Sequence, residues 1–158
     1  MNRCLPYIVC LLSAAVWCGI IIMPPIAASM EFPFARAGYK ICSLICHQDD
    51  VRSLHIAGYK LAVCARCTAI YSGFFAGLLL SPWLSKKIRI NNLTCWAIAL
   101  APMLLDVALG VLGLHTATIG TRIITGGFFG IGAALILTPG AEQGISELMT
   151  HLHVQRGV

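Results

Sequence analysis

Four cysteines stand in two short-spaced pairs, Cys42-x3-Cys46-His47-x16-Cys64-x2-Cys67, within the stretch "ICSLICHQDDVRSLHIAGYKLAVCARCTAIY" at residues 41 to 71. Pairs this close let two thiolates from one turn reach the same ion at ~2.3 Å, as structural zinc sites require. Cys42, Cys46, Cys64 and Cys67 are then the candidate sulfur ligands, with His47 offering a nitrogen beside them and zinc as the metal. The same atoms suit redox chemistry, because Arg66 lies inside Cys64-Ala65-Arg66-Cys67 and a cation next to a thiol favours the attacking thiolate. Structural disulfides that pin a loop are the third option, and the spacing leaves all three open.

Two arginines in or beside this stretch, Arg52 and Arg66, can each hold a phosphate or carboxylate through a forked pair of hydrogen bonds. Tyr71 follows closely, whereas Asp49, Asp50 and His55 read as solvated loop residues. Further along, Asp106 and Arg122 interrupt apolar runs, where an ionisable group is expensive unless paired or wet. Their spacing predicts an Asp106–Arg122 ion pair. Arg52, Arg66, Tyr71, Asp106 and Arg122 thus become candidate ligand-binding residues, with Asp106, Arg66 and Tyr71 as candidates for catalysis.

What positions them is a chain of 158 residues, 58% hydrophobic and 11% charged, where soluble domains carry roughly a quarter charged residues. Four apolar runs approach the ~20 residues that cross a bilayer as helix: about 5–28, 68–84, 93–114 and 119–137. The expected fold is an all-α integral membrane protein, a bundle of four transmembrane helices forming one domain over residues 1–158. A Cys/His-rich connection, 29–67, joins the first two spans, and a polar tail, 138–158, closes the chain. The first run resembles a secretory signal, but its apolar core exceeds the ~7–15 residues of such a segment, so it is read as a retained span. Pro24, Pro25 and Pro102 should bend or end helices, since proline removes a backbone donor. Ala69-x3-Gly73-x3-Gly77 and Gly126-x3-Gly130 place small residues on one helical face, for packing within the bundle or, alternatively, in a homo-oligomer.

Net charge is +5. The basic residues are scattered through short connections and form no stripe with aromatics, which argues against nucleic acid as a partner and leaves the lipid bilayer. Four spans put both termini on one side with "SKKIRINN", and that side carries Arg3, Lys86, Lys87, Arg89 and Arg156. The opposite side carries Arg36, Lys40, Arg52, Lys60 and Arg66. The totals tie, but the charges concentrated in "SKKIR" favour cytoplasmic termini in the inner, cytoplasmic membrane. The first and third connections then share the other side, where Cys46, His47, Arg52, Cys64, Arg66, Cys67, Tyr71, Asp106, His115 and Arg122 can face one polar cavity.

No phosphate-binding loop, zincin helix or c-type haem motif is present, since Cys64 to Thr68 reads C-A-R-C-T. "CHQ" at 46–48, "RS" at 52–53, Gly58, "CARCTAIYSG" at 64–73, Asp106 and "TRIITGGFFG" at 121–130 resemble the pattern of a family of small polytopic prokaryotic membrane proteins classed as a domain of unknown function. The likeness spans about residues 42 to 132, with Ala69 where that pattern often has glycine and Val107 in place of a glycine after Asp106. It implies a four-helix membrane protein with a functional Cys/His cluster and supplies no activity, substrate or cofactor. The leading expectation is a zinc site at the membrane surface beside a polar cavity for a small anionic or amphiphilic ligand. The alternatives are a membrane thiol–disulfide oxidoreductase using Cys64 and Cys67, and a non-catalytic assembly or partner protein.

Overall fold

A computed structural model describes the backbone of residues 4–84 and 92–156. It is mostly helical, with α1 at Cys4–Ser29, α2 at Ala35–Cys42, α3 at Ala65–Leu84, α4 at Asn92–Val111 and α5 at Ile119–Arg156. Between α2 and α3 lie a single 3-10 turn, Asp50–Arg52, and a small antiparallel hairpin pairing His55 with Lys60 and Ile56 with Tyr59. Lys86, Lys87 and Arg89, whose concentration in "SKKIR" favours cytoplasmic termini, fall outside the described residues.

Three helices among the described residues are long and apolar enough to cross a membrane, within Leu5–Ser29, Thr94–Val111 and Ile119–Thr138. Their outer faces expose Leu12, Val16, Met23, Leu104, Leu105 and Ile124, an apolar exterior that suits hydrocarbon rather than water. Length and composition therefore mark three spans where the sequence suggested four; α3 occupies the place of the expected second span, starting three residues earlier, and packs between α1 and α5.

The third expected span stops early, at Val111. Gly113 there takes a left-handed φ of 69°, and the Leu114 amide reaches back to the Leu109 carbonyl at 3.0 Å. This glycine-terminated cap closes the helix and satisfies its last carbonyls. The fourth runs past its expected end at 137, so the polar tail continues as helix to Arg156. None of the three prolines expected to bend or end a helix ends one: Pro24 and Pro25 lie inside α1 and Pro102 inside α4. Pro25 is fully buried, and Gly38 of α2 lies so close to the Pro24 ring that a Cβ there would sit 2.6 Å from its Cγ. The Pro24 ring, which forfeits a helical hydrogen bond, becomes part of the surface on which α2 docks.

Small residues decide the central contact. A Cβ at Gly73 would lie 2.5 Å from the Gly127 carbonyl oxygen, and one at Gly77 would lie 2.7 Å from the Ala134 Cβ. One at Gly126 would lie 2.7 Å from the Arg66 carbonyl oxygen, and Gly130 is seated against the Ile70 carbonyl. The two small-residue stripes read from the sequence thus face each other, α3 against α5, with backbones in near contact. Trp96 of α4 meets Phe129 of α5 with ring centroids 6.4 Å apart, and the Tyr7 hydroxyl of α1 donates to the Leu78 carbonyl of α3 at 2.9 Å.

Candidate functional site

The Cys/His-rich connection is folded by side chains that clasp its own backbone. The Gln48 amide donates to the Tyr39 carbonyl at 2.7 Å and to the Ala62 carbonyl at 2.9 Å, tying the exit of α2 to the entry of α3. Gln48 itself holds a left-handed φ of 52°, a conformation that non-glycine residues adopt rarely. The Lys60 ammonium donates to the Gln48 carbonyl at 3.0 Å, and the Tyr39 hydroxyl to the Lys60 carbonyl at 2.5 Å. Buried Ser53 donates to the Asp49 carbonyl at 2.7 Å. Ala57 and Gly58, with φ of 52° and 82°, form the two-residue turn whose twist suits a hairpin.

This clasp carries Cys46 onto the start of α3. The Cys64 amide donates to Cys46 Sγ at 3.1 Å, and Cys67 lies one helical turn after Cys64, so a 3.6-residue period keeps both on one face. The sulfurs of Cys46, Cys64 and Cys67 all lie within 4.8 Å of one another. Around zinc, sulfurs bound at ~2.3 Å in a tetrahedron stand roughly 3.8 Å apart, so these three need only a small closure. Neither proposed fourth ligand joins them: His47 is exposed, and Cys42 is fully buried against Cys46 outside the group. Trp17, Ile20, Ile21 and Tyr71 wall the cluster in.

Protonation differs sharply among these thiols. Cys64 sits at the N-cap of α3, its carbonyl accepting from the Thr68 amide at 2.9 Å. The hydrogen bond from the Cys67 thiol outweighs burial and, with help from the Cys67 backbone, Cys46 and the Arg66 backbone, pulls Cys64 down to about 5. Burial pushes the Cys42 thiol up, and neighbouring Cys46 adds to the shift. Cys64 is therefore thiolate above its pKa and loses that form as pH falls through about 5. In metal-free protein, alkylation of Cys64 by iodoacetamide should be flat across roughly pH 6 to 8 while Cys42 stays unreactive. Residue-resolved mass spectrometry reads this, and a Cys64 rate still climbing tenfold per pH unit between about 7 and 8 would contradict it.

Arg66 points elsewhere, because within one helix it is rotated by roughly 100° from Cys67. Its guanidinium pairs with Asp106 of α4, not with the cysteines. The expected Asp106–Arg122 pair is absent for this reason: Arg66 already occupies the carboxylate, and Arg122 Nε donates to the Ala117 carbonyl at 3.3 Å. Asp106 is 7% exposed and the Arg66 side chain 16%. The other Asp106 oxygen faces His115 Nε2 at 3.9 Å. Arg66 Nε is buried without an acceptor, a penalty of about 1–3 kcal/mol that the pair must offset.

The single polar cavity foreseen from topology is thus two neighbouring sites. Arg52, Arg66, Asp106, His115 and Arg122 line a cavity of about 590 Å³ at the mouth between α3, α4 and α5. Tyr71 does not reach it; its ring packs edge-on to Trp17, centroids 5.8 Å apart, on the thiol side. His55 and Asp50 pair with each other at 3.3 Å on the surface. Gln48, Tyr39 and Trp17, which hold the thiol cluster in place, were not legible as such from spacing; the only pointer was the glutamine of "CHQ".

The match to known proteins runs through both sites. A family model described as "Predicted membrane protein (DUF2085)" matches residues 46–136, from Cys46 to the last turns of the membrane segment of α5. An uncharacterized protein of Methanocaldococcus jannaschii is 39% identical over 103 residues, 64% of this chain and 66% of its own length. An uncharacterized protein of Methanothermobacter thermautotrophicus is 28% identical over 92 residues, 58% of this chain and 83% of its own. The chain thus spans just under two thirds of the first of these relatives. No solved structure matches it. With more than half of its length matched, thiol cluster and arginine cavity included, the chain belongs to the DUF2085 family of predicted membrane proteins.

Proposed function

We propose that this protein is a four-span inner-membrane protein, both termini cytoplasmic, that holds zinc on Cys46, Cys64 and Cys67 beside a cavity for a small anionic or amphiphilic ligand. The observation that carries the metal is the convergence of three sulfurs within 4.8 Å from two separate parts of the chain. Cys64, ionised near neutral pH, supplies one ready thiolate, and soft thiolates select zinc over the hard cations. Zinc held by Cys46, Cys64 and Cys67 would supply a Lewis acid at this site. The chain's own part is to orient the sulfurs through the Gln48 clasp and to keep them behind Trp17 and Tyr71. Crossing by α3 as the remaining span is supported by its place between α1 and α5.

Purification in mild detergent without reductant tests this. About one zinc per chain is expected, lost when Cys64 and Cys67 are both replaced by serine. A second reading, thiol–disulfide exchange, is favoured by one specific feature: Cys64 caps a 20-residue helix with Cys67 one turn on. The Cys64 thiolate would attack a substrate disulfide and release one substrate thiolate, and Cys67 would then displace the second, leaving a Cys64–Cys67 disulfide and a reduced substrate. Protein free of metal that gains two thiols reversibly on reduction would replace the zinc reading with this one.

A further inference from the structure

The cavity between α3, α4 and α5 carries a cation that its own carboxylates do not neutralise. Arg52 is paired with Asp49 at 3.0 Å and Arg66 with Asp106. Among the described residues no carboxylate pairs with Arg122, whose Nε meets only a backbone carbonyl. The α5 helix begins at the same wall: Thr116, Ala117 and Thr118 line the cavity, and Thr118 Oγ1 accepts from the Thr121 amide at 3.2 Å. The positive end of a long helix dipole therefore adds to the Arg122 charge. The same lining also holds apolar side chains, Val51, Val107 and Val111, with Val51 84% and Val111 81% exposed. Lined by cations and apolar side chains together, a cavity of about 590 Å³ lies within the ~300–1,000 Å³ of small-molecule sites and exceeds what a bare oxyanion fills.

Resting on the reading above that this cavity takes an anion, we propose that its ligand is a phosphate monoester borne on an apolar chain, the headgroup of a membrane amphiphile. Arg122 holds its oxygens, Arg52 adds the terminal guanidinium nitrogens that its Nε contact with Asp49 does not use, and Arg66 serves to neutralise Asp106 so that the carboxylate does not repel the ligand. Guanidinium forks match phosphate oxygens in pairs, and the lining valines receive the first carbons of the chain. A phosphate monoester presents three terminal oxygens in a tetrahedron and so can meet two guanidinium groups from different directions, whereas a carboxylate presents two oxygens in one plane.

The test uses the full chain in dodecyl maltoside, titrated with soluble short-chain phosphatidic acid, phosphatidylcholine of the same chain length, and inorganic phosphate, with thermal unfolding as readout. Phosphatidic acid should raise the melting temperature saturably and phosphatidylcholine should not. Arg122→Gln should weaken the response about tenfold, and Arg122→Lys less. Arg52→Gln, on an exposed turn where folding is not at stake, should weaken it as well. An equal response to inorganic phosphate that Arg122→Gln abolishes upholds the phosphoryl site and makes free phosphate its source. No response to either phosphate, or one unchanged in both Arg122→Gln and Arg52→Gln, overturns the proposal. Zinc measured on the same preparation reads the metal site separately, since zinc retained without a phosphate response overturns this proposal and leaves the thiol site standing.

Discussion

Replacing Asp106 with alanine should destabilise the protein by about 3–5 kcal/mol, the typical consequence of stranding one member of a buried ion pair. The stranded group is the Arg66 guanidinium, 16% exposed, held at the start of α3 by a backbone that cannot retreat because it presses on Gly126. Removing both charges with Arg66→Met and Asp106→Leu should recover most of that loss, because no charge then remains to be desolvated. Reversible unfolding in mixed micelles by titration with sodium dodecyl sulfate gives the comparison. A loss below about 1 kcal/mol for Asp106→Ala would mean that the pair behaves like a surface salt bridge, and the burial described for it would be wrong.

Gly130→Leu should be more damaging still. Most overpacked sites relax by turning a side chain and lose about 1–3 kcal/mol. At Gly130 the obstacles are backbone atoms, the Ile70 carbonyl and the Phe74 amide nitrogen at 2.8 Å from a Cβ, so no rotamer relieves the clash and the helices must separate. The expected result is loss of monodisperse protein after extraction, or a drop in melting temperature well beyond that of any cavity variant. Gly19→Leu is the control, because a Cβ at Gly19 on α1 meets nothing within 4 Å. Equal tolerance of the two substitutions would refute the close approach of α3 and α5.

How much of this was legible beforehand follows from the range over which each signal acts. Helices and small-residue stripes are local, period-governed features, so residues 5–28 and 119–137 and the glycines of α3 and α5 could be read directly. The thiol triad was legible as a set of candidates, since spacing alone names Cys46, Cys64 and Cys67. The exclusion of Cys42 and His47 was not legible, because it depends on how Gln48 turns the chain at a left-handed residue. The choice of Arg66 over Arg122 for Asp106 was likewise hidden. Both line the same cavity as Asp106, and only the rotation of α3 set by its glycine contact with α5 decides between them. The early stop of α4 had a visible sign in Gly113, whereas the continuation of α5 beyond 137 ran against the polarity of its sequence.

The hairpin tip at Ala57 and Gly58 offers an experimental handle. Everything that clasps the connection lies at its base, where Gln48, Tyr39 and Lys60 bind backbone carbonyls, while the tip is exposed and a Cβ on Gly58 touches nothing within 4 Å. Exposed tips of this kind accept insertions with little effect on the fold. A short protease-cleavage sequence placed between Ala57 and Gly58 would report, in intact cells against broken ones, which compartment the thiols and arginines face, and would do so with both sites assembled.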